Sequence, residues 1–78
     1  MQPIEILYPI YGKSKRISIT PGDLIKYRLN TGMYYSGVFL GLTPVSQYQH
    51  PRLDLLVGER KESINVNVFL EIEVVGGT

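Results

Sequence analysis

The chain has no cysteine and no alanine. Without thiols, neither a disulfide nor a thiolate metal site can staple the fold. That suits a reducing compartment, and the cytoplasm is the expected location. Without alanine, and with isoleucine, valine and tyrosine in plenty, extensive helix is disfavoured and strands are favoured. An excess of charge is also missing: eight lysines and arginines stand against seven aspartates and glutamates. A dedicated duplex-binding protein carries a stronger basic excess, so any nucleic-acid contact must come from a local patch. No apolar run has the length of a membrane span, the N-terminus lacks a signal-peptide pattern, and no membrane partner is expected. Neither an internal repeat nor a low-complexity stretch is present.

What is present is a short chain with strand periodicity. Its 78 residues make one small globular body. At this size folding buries only about 60% of the unfolded surface, so the core is thin and association with further copies is one way to stabilise it. Ile4–Tyr8 and Ile17–Ile19 read as short strands of an N-terminal arm or hairpin, with Pro9 either confining the first to an edge or ending it, and a polar turn over Gly12–Arg16 between them. Thr20-Pro21-Gly22-Asp23 has the residues of a type II turn. Leu24–Leu29 follows as a strand with Ile25, Tyr27 and Leu29 on one face, and Asn30-Thr31-Gly32 closes a hairpin into a long strand, Tyr34–Thr43.

That strand carries Gly37 and Gly41. Glycine weakens a strand unless the strand bends or another backbone comes close, so both are assigned structural roles, with Phe39 between them facing the core. A long polar loop, Thr43–Pro51, contains Tyr48 and the single histidine, His50. Arg52–Val57 resumes the strand pattern. A charged turn over Gly58–Glu62 leads to the alternation Ser63–Val68, with Ile64, Val66 and Val68 inward and Asn65 and Asn67 outward. The last strand, Leu70–Val74, follows so closely that a tight corner is expected at Phe69.

This order resembles the SH3-type small barrels and, within them, the Sm-like family. The residues that carry the likeness are Gly37, Phe39 and Gly41, matching the glycine, apolar and glycine positions of the family's first motif, together with the closely coupled last two strands. It covers roughly residues 21–75. The resemblance implies an all-β, five-stranded, strongly bent SH3-like or Sm-like barrel over 21–78, with the arm over 1–20. It also implies a homo-oligomer, a ring being one form, that binds single-stranded RNA or DNA. Two departures stand beside it: Thr43 occupies the position where the family places an aspartate, and the last corner, Val68-Phe69-Leu70-Glu71, has neither a basic residue nor a glycine.

Among the chemical motifs, Gly12-Lys13-Ser14 lacks the upstream glycine of a phosphate-binding loop, since Leu7 stands there, and no long helix follows. Metal sites need several convergent ligands and a serine triad needs a positioned base and acid, and His50 has neither set. No catalytic residue, metal or cofactor is therefore expected. Basic groups beside aromatic rings suit single strands, the charges tracking phosphates and the rings stacking on bases. The candidate contacts are Lys13, Lys15 and Arg16 on the arm, beside Tyr8 and Tyr11, and Tyr48, His50 and Arg52 around the long loop. Lys26 and Arg28 extend the basic surface. Two readings follow: an oligomeric module that binds single-stranded nucleic acid, or a structural or protein–protein interaction module, such as a phage or mobile-element assembly component, that binds none.

Overall fold

A computed structural model describes residues 2–10, 12–43 and 51–76. The described chain is all-β. Strands β1 (Ile4–Ile10) and β2 (Lys13–Ile19) form a two-stranded antiparallel hairpin. Strands β3 (Leu24–Leu29), β4 (Tyr34–Thr43), β5 (Arg52–Val57), β6 (Arg60–Asn65) and β7 (Phe69–Gly76) form a five-stranded antiparallel sheet in the order β6-β5-β4-β3-β7. One short 3₁₀ turn, Val66–Val68, links β6 to β7.

The expected barrel is not closed. β6 and β7 are the two edges of an open sheet and do not pair with each other. The 3₁₀ turn stands between these two edges. The β5–β6 ladder runs from Val57 opposite Arg60 to Arg52 opposite Asn65. Beyond Asn65, β6 has no partner, because β5 begins at Arg52. The Asn65 side chain accepts the Asn67 N–H at 3.1 Å, and the Val66 N–H donates to the Pro51 carbonyl at 3.0 Å. Val66 is thereby driven into the core rather than along an extended strand. The alternation expected through Val68 thus ends three residues early, and Asn65 caps a turn instead of joining a solvent-facing stripe.

One core serves both sheets. Ile25, Tyr27, Phe39, Leu53, Leu55, Phe69 and Ile72 from the large sheet meet Ile6, Tyr8 and Ile19 from the hairpin, all at most 5% exposed. Burying a side chain such as Phe39 or Phe69 stabilises by about 1.5–3 kcal/mol each. Tyr27 stacks on Tyr35, with centroids 5.7 Å apart, and meets Phe69 edge-on at 5.4 Å.

The two glycines of β4 act differently. At Gly37 an added Cβ would stand 3.0 Å from the Leu56 carbonyl oxygen and 3.1 Å from the Val57 side chain, so a larger residue requires β5 to give way by a few tenths of an ångström. Gly41 has open space around it but a φ of +154°, and the β4–β5 register shifts between Phe39 and Gly41. Gly41 is thus a bulge residue, in a conformation that side chains other than glycine rarely adopt. The Thr20–Asp23 turn forms, with the Asp23 N–H donating to the Thr20 carbonyl at 2.9 Å, and the Phe39 N–H anchors it to β4 through the Asp23 carbonyl at 2.9 Å.

At the N-terminus, β1 continues through Pro9 to Ile10, opposite Lys13. A proline is tolerated on such an edge strand where its N–H position faces away from the partner. The residues expected in the Gly12–Arg16 turn consequently lie on β2 from Lys13 onward.

Candidate interaction surfaces

Strand alternation divides the basic cluster. Lys13 and Lys15 pair with Ile10 and Tyr8 and share one face of the hairpin, whereas Arg16 pairs with Leu7 and turns to the other. Arg16 Nε lies 2.6 Å from Glu5 Oε1. Lys15 borders a shallow depression with Glu71, Ile72 and Glu73. Arg52, on β5, is exposed opposite Thr43 and Asn65, on the sheet rather than the hairpin. Tyr48 and His50 lie outside the described residues.

A second charged group occupies the outer face of the large sheet. Arg28 pairs with Tyr34 on one side and Glu71 on the other, and Lys26 pairs with Ser36 and Glu73. The Tyr34 ring, 54% exposed, has Lys26 Nζ 5.3 Å and Arg28 Cζ 5.5 Å from its centroid. Its hydroxyl donates to Glu71 Oε2 at 3.3 Å, and Arg28 Nε stands 3.8 Å from the same oxygen. Arg28 Nε is itself buried without a hydrogen-bond partner. The result is an exposed aromatic ring between two cations, with two carboxylates at its margin. Each exposed cation–ring contact contributes about 0.5–1 kcal/mol.

Thr43, at the position of the family's aspartate, is engaged within the fold. Its hydroxyl donates to Asp54 Oδ2 at 2.6 Å, while the Ser63 hydroxyl donates to Asp54 Oδ1 at 2.9 Å, so one carboxylate joins β4, β5 and β6.

The edges of the sheet differ in charge. β6 carries exposed Arg60 and Lys61, and β7 carries exposed Glu71 and Glu73. β7 is partly covered: the Ile72 N–H donates to the Tyr8 hydroxyl at 3.3 Å, a buried bond from the hairpin.

No family model, curated protein or solved structure matches the chain.

A cleft of about 230 Å³ is lined by Tyr27, Leu29, Tyr35, Val57, Glu62 and Ile64. Burial pushes the Tyr27 phenol above its ordinary value, and the Glu62 carboxylate and Tyr35 add to the rise. Glu62, expected in a charged turn, is instead a strand residue facing inward. The clue lay in its period-two spacing to Ile64, but that becomes informative only once β6 starts at Arg60. Among the described residues no group of three or more histidine, cysteine, aspartate or glutamate residues is placed to hold a metal ion, and no helix is long and apolar enough to cross a membrane.

Proposed function

We propose that this chain is a non-enzymatic, self-associating binding module of the Sm-like, SH3-type kind, with single-stranded RNA or DNA as its ligand. The observation that carries the reading is the pair of sheet edges with opposite charge, β6 with Arg60 and Lys61 and β7 with Glu71 and Glu73. One copy's β6 adds to the next copy's β7, a heterologous contact that closes into a ring if the rotation allows. Because Tyr8 occupies the Ile72 amide, the added strand pairs with β7 beyond that point, over residues 74–76. The return of β7 to the side of β3, after a corner of one 3₁₀ turn, supports the small-barrel likeness. The exposed Tyr34 ring, with Lys26 and Arg28 over it, supports the nucleic-acid part: the ring offers a stacking surface and the cations offer phosphate contacts.

A specific observation favours the other reading, a protein-interaction module without nucleic acid. Four cations of the two clusters lie beside carboxylates: Arg16 by Glu5, Lys15 by Glu71 and Glu73, and Lys26 and Arg28 opposite Glu73 and Glu71. Fluorescence anisotropy with labelled oligo-U and oligo-A at two salt concentrations separates the two. Under the nucleic-acid reading, binding weakens with salt and falls on Tyr34→Ala and on Lys13/Lys15/Arg16→Ala. No binding at micromolar protein, together with a defined oligomer in light scattering, leaves the protein-interaction reading.

A further inference from the structure

Glu62 stands where an apolar residue is expected. It faces Leu55 across the β5–β6 ladder, and Leu55 is fully buried. Strand alternation therefore turns the Glu62 carboxylate toward the inner face, into the cleft with Tyr27, Leu29, Tyr35, Val57 and Ile64. A carboxylate among apolar and aromatic walls is costly unless a cation or hydrogen-bond donor meets it. Among the described residues Glu62 forms no ion pair, and Arg60, two residues back on the same side, is exposed at the strand end. The chain thus presents half of an ion pair at the mouth of an apolar cleft. The cleft, about 230 Å³, is smaller than the roughly 300–1,000 Å³ of pockets for drug-sized ligands, and suits a single side chain.

We propose that this cleft receives a lysine or arginine side chain presented by a protein partner. The aliphatic stem packs along Leu29, Val57 and Ile64, as the stems of such side chains do on apolar surface. The charged head donates to the Glu62 carboxylate and lies beside the tyrosines, whose rings attract cations. Charge complementarity selects the occupant: a neutral side chain would leave the carboxylate unpaired. Glu62 and Ile64 lie on the edge strand β6, but their side chains face the cleft, away from the outer-face cluster, so ligand binding here and strand addition at the edge are read by separate measurements.

The test is an amide-shift titration of the whole, isotope-labelled chain with N-acetyl-arginine amide and N-acetyl-lysine amide, against the neutral isostere N-acetyl-norleucine amide. The expected result is millimolar binding of the cations that moves the amides of Tyr35, Val57, Glu62 and Ile64, and norleucine weaker by about tenfold or more. Glu62→Gln, which keeps the side chain's shape, removes that preference. The comparison of ligands on the unmodified chain holds even if the variant folds poorly. Equal shifts from norleucine, no shift from either cation in the millimolar range, or an undiminished cation preference in folded Glu62→Gln would overturn the proposal. So would a Glu62→Gln chain that changes only in self-association. That outcome would make Glu62 an inward charge guarding an edge strand.

Discussion

The Tyr8 hydroxyl and the Ile72 amide, 64 residues apart in the chain, meet at 3.3 Å in the core. This bond ties the hairpin to the edge of the large sheet and satisfies a backbone donor that pairing with β3 leaves free. Tyr8→Phe keeps the ring and removes the acceptor. The buried N–H is then unsatisfied, at a cost of about 1–3 kcal/mol. Denaturant unfolding should show that loss, each kcal/mol lowering the thermal midpoint by roughly 4–8 °C in a domain this small. Hydrogen exchange should find the Ile72 amide less protected. Unchanged stability and protection would mean that the bond contributes nothing.

Gly37 and Gly41 should fail differently when substituted. Gly37→Ala forces a Cβ against the Leu56 carbonyl and the Val57 side chain, so overpacking costs about 1–3 kcal/mol. Gly41→Ala meets nothing but must hold a φ of +154°, with backbone strain of about 1–3 kcal/mol. In a chemically synthesised chain, D-alanine at position 41 should relieve the strain and restore stability. Equal losses from L- and D-alanine at 41 would contradict the assignment.

The Asp54 carboxylate accepts from Thr43 and Ser63, across three strands. Asp54→Ala should cost about 1–3 kcal/mol through the two lost charged hydrogen bonds. A double-mutant cycle with Ser63→Ala should return a non-zero coupling energy, whereas strict additivity would place the two side chains out of contact.

Tyr27 supplies a pH dependence. Its folded pKa lies above the ordinary 10.0, because burial first, then Glu62 and Tyr35, oppose the phenolate. The folded state therefore holds this proton more tightly than the unfolded chain does. That stabilisation is complete below pH 10 and is lost as pH rises through the higher folded value. Ultraviolet titration should find Tyr27 ionising late, and Tyr27→Phe should remove that contribution.

Much of the sheet was legible in the residues. Leu24–Leu29 and Arg52–Val57 alternate in period two, and Tyr34–Thr43 is a long run without charge or proline that is apolar on both faces; the strands lie there. The β6 boundary was not legible. Val66 and Val68 continue the alternation of Ile64, and only the absence of a β5 residue beyond Arg52 ends the ladder. Barrel closure depends on where two distant edges lie relative to each other, which no local pattern encodes. The same holds for the site residues. Lys15 and Arg16 are adjacent in the chain but on opposite faces of β2, while Lys26, Arg28, Tyr34 and Glu71 come together only through the β3 pairings. Tyr8 on Ile72 and Glu62 beside Tyr27 are likewise long-range meetings.

The self-association at the centre of this account is tested most directly by analytical ultracentrifugation of the unmodified chain, Lys61→Glu, Glu73→Lys and an equimolar mixture of the two variants. A defined oligomer is expected for the unmodified chain, with weaker assembly for each variant alone and assembly regained in the mixture, where the charge reversed at position 61 meets the charge reversed at position 73. An unmodified chain that stays monomeric at high concentration, or variants that assemble as well as it does, would contradict it.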